Sequence, residues 1–352
     1  MLRMHNRKMA LGDQRLHAGK LPIPLLDRLL KRHTRQGDRV VVGPSIGIDA
    51  AAIDFGDRLL LAKTDPITFV IEDIGAYAVH INVNDIAVMG GIPKWFLATV
   101  LLPEGYATAK MAEQIFADLD RSCKALGIAL CGGHTEVTPG IDRPIVIGQM
   151  LGEVAREKLI TASGARVGDI LILTKGIAIE GTSILARERA KELEKAFSRR
   201  FVEHCKGLIR KPGISVMKDA LTAVKHGRIH AMHDPTEGGI ATGLHELAMA
   251  SKMGLLVESS GIPILPETLK VSQYFCLDPL GIIASGALLM AVEPQDAQAV
   301  VKGLKAVKIS ASVIGRVTSR RSGVKMMENG KKRPLPLFVA DEITRVFGSR
   351  SL

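Results

Sequence analysis

Four short motifs in the first half of the chain gather residue types that do chemistry on phosphate: GPSIGIDAAAI, KTDPITF, VNDIAVMGG and CGGHTEVTPG. Their polar members are Asp49, Asp65, Asn84, Asp85, His134, Thr135 and Glu136, with Gly43, Gly47, Gly90, Gly91, Gly132 and Gly133 beside them. Carboxylate oxygens bind a hard cation such as Mg²⁺, and bare glycine backbone lets phosphate oxygens approach the main chain. The set therefore points to a divalent metal carrying a polyphosphate. His134 stands apart: it suits a neutral donor to phosphate, a general acid or base, or a loop residue bonded to backbone.

A fifth motif, HDPTEGGIATGLHELA, lies in the second half. Asp234, Thr236 and Glu237 precede Gly238 and Gly239, and a helix expected from about Ile240 would offer free N–H groups to an anion. An ordinary capped helix, with Asp234 or Thr236 as the cap, fits the same residues. His226, His230 and His233 are close in sequence, but the change from helix to strand across GRIHAMHD breaks their register and favours core or solvent histidines over a metal set. His245-Glu246 lacks the second histidine of HExxH, and neither GxxxxGK[ST] nor GxGxxG after the first strand is present.

The elements that must position these residues read as α+β, with long helices between apolar strands. LPIPLLDRLLKRH is an amphipathic helix, and the residues from Asp73 to Met89 form another, placing Asn84 and Asp85 in its last turns. IALCGG reads as a strand leading into a GGHTE loop, with Cys131 as a buried small residue at the strand's end. A small-residue stretch, TASGARVGD, divides the chain into residues 1–160, which carry all four acidic motifs, and 161–352, where DILILTKGIAIEG starts a fresh strand and loop. Asn329-Gly330 marks a hairpin turn.

Composition sets the class. The chain has 352 residues, 47% of them hydrophobic, which suffices for two aliphatic cores. No run approaches the roughly 20 uncharged apolar residues of a membrane span, and the basic start has no signal-peptide core after it. Scattered Cys123, Cys131, Cys205 and Cys276 form no CxxC pair, so a reduced, cytoplasmic protein is expected. A net charge of +11 fits acidic ligands such as nucleotides. Nucleic acid is a poor fit, because the basic residues of RVTSRRSGVKMMENGKKR have no aromatic side chains among them to stack bases.

In this order, GIDAAAI, TDPITF, VNDIAVMGGIPKWF, GGHTEVTPG, HDPTEGGIATGLHELA and DPLGIIASGALLMAV resemble the AIR synthase-related (PurM-like) ATP-dependent superfamily, with the nearest likeness to hydrogenase maturation factors of the HypE type. The resemblance implies a two-domain fold in which the strand-rich N-terminal domain forms a barrel shared between two subunits, followed by a C-terminal α/β sandwich domain. It implies ATP and Mg²⁺ as cofactors, with Asp49, Asp65 and Asp85 holding the metal. Gly47, Lys63, Asn84, Gly132, Gly133, Thr135, Asp234, Gly238 and Gly239 would contact the nucleotide, and His134 and Glu136 would be catalytic. Gly132, Gly133 and Thr135 would form the wall opposite the carboxylates, and Lys20 is a weaker phosphate contact.

The implied partners are a second copy of the chain, a small-molecule substrate and a maturation partner protein. The implied activity is phosphorylation of an amide-like or phosphorylated small substrate, with a non-catalytic, nucleotide-binding maturation or scaffold role as the alternative. One departure bears on that choice. HypE carries its substrate on a C-terminal cysteine, whereas this chain ends VFGSRSL and its last cysteine is Cys276.

Overall fold

The structure is a computed structural model that describes residues 20–35 and 37–347; the basic start and the cysteine-free GSRSL end lie outside the described residues. The fold is α+β with two sheets. The first contains β1 (Val40–Val42), β2 (Ala51–Asp54), β3 (Arg58–Ile67), β4 (Ile92–Pro103), β5 (Ala129–Thr138) and β6 (Ile145–Ala155), in the order β1-β2-β3-β6-β4-β5. The second contains β7 (Ile170–Thr174), β8 (Ile229–His233), β9 (Gly254–Glu258), β10 (Leu289–Val292), β11 (Ala311–Thr318), β12 (Val324–Glu328) and β13 (Lys331–Pro334), in the order β13-β12-β9-β11-β7-β10-β8. β4 with β5 and β9 with β12 are parallel, and the other pairs are antiparallel.

Helices α1 (Ile23–His33), α2 (Ile74–Val88) and α3 (Ala109–Leu126) belong to the first half. In the second half, α4 (Ile179–Glu188), α5 (Ala190–Ala196) and α6 (Arg199–Lys206) are followed by α7 (Met217–His226) and α8 (Gly239–Ser251). α9 (Pro266–Tyr274), α10 (Ala297–Ala306) and α11 (Thr344–Phe347) complete the set. None of the described helices is long and apolar enough to cross a membrane.

The expected helix over 73–89 is α2, and its composition explains its place. It is apolar almost all round, and such a helix must be covered on every side. It packs against β3, β6 and α3 on one flank and against α7 and β8 of the second half on the other. Ala87 and Val88 at its end join the core that holds Ile172 and Val216. α2 is thus a wall common to both halves, and Asp85 lies where they meet.

Asn84 does not take the position its motif suggests. Its side-chain amide donates to the Ile214 carbonyl at 2.9 Å and its oxygen accepts from the Val216 N–H at 2.8 Å, so it clasps the second half. Successive residues on a helix point in different directions, which is why Asp85 and Asn84 part company.

The GGHTE segment is strand, not loop. β5 runs on through Thr138, with a register shift opposite Phe96 and Leu97 that leaves Cys131 as the extra residue. A Cβ on Gly133, whose φ is +147°, would lie 1.9 Å from the Ala98 carbonyl oxygen, so the glycine serves close approach of β4 and β5. A glycine pair signals a bulge as well as a phosphate loop. Cys131 is exposed within the strand, not buried at its end. The hairpin at Asn329-Gly330 is as expected: φ is 48° and 74° at the two residues, joining β12 to β13. Ile179, Glu180 and Gly181, at the end of the stretch expected as loop, open helix α4 instead.

Candidate functional site

A cavity of about 760 Å³ opens between the two halves. It brings together Gly47, Asp49, Lys63, Asp65 and Asp85 from the first half with His233, Asp234, Glu237, Gly238 and Glu246 from the second. Asp65 is set by Asn82 of α2, whose side chain accepts from the Asp65 N–H at 2.9 Å and donates to its carbonyl at 3.3 Å. Gly148 on the neighbouring strand makes room, since a Cβ there would lie 2.3 Å from Asn82 Nδ2. Lys63, two residues earlier on the same face of β3, reaches Asp85 at 3.0 Å and Asp65 at 3.3 Å.

Asp49 comes in on the loop before β2. Gly47 has φ +74° and a Cβ there would lie 2.7 Å from the Glu246 carbonyl, so the loop rests directly on α8. Asp49 Oδ1 lies 2.8 Å from His233 Nδ1, and His233 Nε2 lies 3.0 Å from Glu246 Oε2. Lys20 Nζ adds a contact to Glu246 at 3.4 Å. Burial opposes charging His233, but Asp49 and Glu246 on its two sides outweigh that and raise its pKa well above the usual value. Glu246 resists burial in the same way, held at about 2 by Lys20 and His233.

The electrostatics separate possible metal ligands from residues already committed. Asp49, His233 and Asp234 bring ligand atoms within 4.8 Å of one another. His233, however, spends both ring nitrogens on carboxylates, leaving none to coordinate. The orphaned atoms are carboxylate oxygens: Asp49 Oδ2, Asp85 Oδ2 and both oxygens of Asp234 are buried with no hydrogen-bond partner. Burial, and next the nearby Asp49, pushes Asp234 up to about 8, and burial raises Asp85 despite Lys63. Buried carboxylates without partners are costly, and a hard cation removes that cost. Asp49, Asp85 and Asp234 therefore fit an oxygen-loving metal. Asp65, also expected as a metal ligand, lines the same cavity with Oδ2 3.3 Å from Lys63 Nζ.

One expected part of the site lies elsewhere, and a second is met by the chain itself. Gly132, Gly133, His134, Thr135 and Glu136 are on the exposed edge strand β5, where Gly132 through Thr135 line a separate hollow of about 300 Å³ against Phe116 and Leu119 of α3. His134 Nε2 meets Glu136 Oε2 at 3.1 Å, because residues two apart on a strand share a face. Within one copy of the chain these five residues do not reach the cavity. At Gly238-Gly239, the anion expected from outside is supplied by the chain: the Gly238 N–H donates to Asp341 Oδ2 at 2.7 Å. A Cβ on Gly239 would lie 2.4 Å from the Leu280 carbonyl, so this glycine serves packing.

His233, Glu246, Asn82 and Asp341 are the site residues that sequence reasoning missed. His233 directly precedes Asp234 in HDPTEGG, the one signal that could have found it.

Fold and cavity together define a two-domain α+β protein of the PurM-like class. The solved structure of the hydrogenase maturation protein HypE in complex with ATP has this fold, with a TM-score of 0.65, 24% identity and coverage of 88% of this chain and 94% of that one. The chain belongs to the AIR synthase related protein family: residues 47–154 match its N-terminal domain and residues 166–327 its C-terminal domain. It is 30% identical over 305 residues to a putative hydrogenase expression/formation protein of Methanocaldococcus jannaschii, covering 85% of this chain and 88% of that protein. It is 28% identical over 308 residues to carbamoyl dehydratase HypE of Rhodobacter capsulatus, covering 85% and 87%.

Proposed function

We propose that this chain is an ATP- and Mg²⁺-dependent enzyme that phosphorylates, and so activates, an oxygen of a small amide-like or phosphorylated substrate. The observation that carries this reading is the set of orphaned, buried carboxylate oxygens of Asp49, Asp85 and Asp234 facing one cavity beside Lys63. Those three side chains would hold the metal. Bound Mg²⁺ would neutralise charge on the transferring phosphoryl group. His233, braced by Glu246, holds Asp49 Oδ1, so that Asp49 presents Oδ2 to the cavity. Lys63 offers a cation to the phosphates, and the Gly47 loop offers bare backbone. The carbamoyl dehydratase relative and the ATP complex of a protein with this fold support an amide-type substrate and nucleotide as the cofactor.

The first test is calorimetry with Mg-ATP. Asp49→Ala should weaken binding at least about tenfold, in line with losses at metal shells, and Asp65→Ala less so. Unchanged affinity in Asp49→Ala would discard the metal assignment. Tight Mg-ATP binding with no ADP formed across a panel of amides would leave the nucleotide-binding maturation or scaffold role in its place.

A further inference from the structure

We infer that the outer face of β11, β9, β12 and β13, with the segment that leaves β13, is a docking surface for a partner protein that presents acidic residues beside apolar ones. The surface adds to the nucleotide reading above and does not depend on it. Residues 316–333 hold seven basic residues and one carboxylate, so more than half of the chain's net +11 sits on this stretch. The register lays that charge on one side of the sheet. Arg316 pairs with Leu256, Leu256 with Lys325 and Lys325 with Pro334, a row across four strands whose side chains point the same way. Their chain neighbours Val317, Leu255, Val257 and Met326 are in the core, so the row faces outward. Helices α7 and α10 cover this side where Ile172 and Met290 pack beneath them, on β7 and β10. β9 and β12 lack such cover, and Leu256 and Met327 there are only half-buried.

Lys332 joins the face beside Met327, and Arg320 and Arg321 stand at its end in the turn between β11 and β12. Arg316, Arg320, Arg321, Lys325 and Lys332 are all exposed, and none makes an ion pair among the described residues. Lysines on an edge strand guard it against pairing with another chain, which accounts for Lys332. It does not account for Arg316 and Lys325, whose strands are paired on both sides.

An apolar patch adjoins the charge. The Leu335 N–H donates to the Val324 carbonyl and His245 of α8 donates to the Pro336 carbonyl, both at 3.2 Å, so the chain leaves β13 on a fixed path. Leu337 follows Pro334 by three residues, which keeps it within about 11 Å even in extended chain. Leu337 is 64% exposed and Val339 86%, more than any other large apolar side chain among the described residues, and both line the cavity.

These features choose the partner's chemistry. A guanidinium takes a carboxylate through two parallel hydrogen bonds, and exposed aliphatic side chains are covered by apolar ones. A nucleic-acid backbone would leave Leu337 and Val339 unused. Glu258, beside Met327 on the same face, and Glu328, 3.2 Å from Arg333, interrupt the positive field. A uniformly anionic polymer or bilayer meets both with repulsion, whereas a protein surface can be patterned to them.

The test is fluorescence anisotropy with three labelled peptides: glutamate pairs alternating with leucines, the same with serine for leucine, and the same with lysine for glutamate. A single-stranded DNA oligonucleotide and phosphatidylserine vesicles are the competing probes. Wild-type protein should bind the glutamate–leucine peptide at least about tenfold tighter than the other two peptides, and less tightly as salt rises. Arg320→Glu with Lys325→Glu should lose at least about tenfold, with circular dichroism and Mg-ATP affinity unchanged. Lys110→Glu with Arg200→Glu makes the same charge change at exposed sites on α3 and α6 and should keep binding. Leu337→Ser should abolish the preference for leucine over serine. Equal losses in the two double variants, no preference for the glutamate–leucine peptide, or tighter binding of DNA or vesicles would overturn the inference. Failure of the wild type to bind Mg-ATP would count against the proposed function alone, since the peptide titrations contain no nucleotide.

Discussion

His233 holds Asp49 by charge and is itself held by Glu246, and this has a measurable effect on stability. Glu246 ordinarily titrates near 4.5 but is held at about 2 in the fold, so folding favours its ionised form. Its contribution is fully present above pH 4.5 and is lost as pH falls toward 2; the shift corresponds to about 3 kcal/mol as an upper figure. His233 has the opposite sign: its raised pKa stabilises the fold below its ordinary value of 6.5 and ceases to do so as pH rises through the raised value. Glu246→Gln should therefore be less stable at neutral pH by about 2–3 kcal/mol and show a flatter decline in acid. Urea unfolding across that range checks it, and parallel acid limbs in the two proteins would remove Glu246 from the account. None of this pairing was legible in the sequence, because Asp49 and His233 are 184 residues apart and no spacing rule connects them.

α2 shows what an element adds to its motif. Asn84 and Asp85 are adjacent, yet one clasps the second half and the other faces the cavity. Asn84→Ala would strip partners from the Ile214 carbonyl and the Val216 N–H, costing about 2–6 kcal/mol at 1–3 per buried group, with Mg-ATP affinity unchanged in the folded protein. Asp85→Asn should do the reverse, sparing thermal stability and weakening Mg-ATP. Melting temperature and calorimetry on the two variants decide it; a nucleotide defect in Asn84→Ala without a fall in stability would return Asn84 to the site. The helix itself was readable because its apolar run is long and ends at two glycines. The edge strand was not, because Gly132-Gly133 carries the same signal for a phosphate loop as for a bulge. Asp234 was read as a nucleotide contact; only the cavity shows its two unpaired oxygens beside Asp49.

At the scale of the whole molecule the first sheet has an uncovered side. Its inner residues, among them Leu59, Leu61, Phe96 and Met150, are fully buried under the helices. Their alternates, Leu60 and Ala62 on β3, Leu97 and Leu101 on β4, and Ile147 and Leu151 on β6, are only half-buried, and Trp95 is 37% exposed. The register sets Ala62 and Trp95 on either side of Leu151, and Leu97 beside the exposed Gln149, so the face is largely apolar with one polar residue at its centre. β5 ends the sheet with its outer edge unpaired among the described residues. Open edges and broad apolar faces are surfaces that proteins cover, and we propose that a second copy covers this one, in keeping with the shared barrel that the family resemblance implies. His134 and Glu136 lie on the same side, opposite Thr99 and Leu101, so the dimer would enclose them at its margin. A stable interface of this kind buries about 1,200–2,000 Å², enough to hold the pair together against the repulsion of two chains each carrying +11 at ordinary salt. Light scattering coupled to size exclusion should report a dimer for the wild type and a monomer for Leu97→Arg, with the far-ultraviolet circular dichroism of the two superimposing. A wild-type monomer at micromolar concentration would remove the dimer, and a Leu97→Arg chain that still runs as a dimer would move the interface to another face.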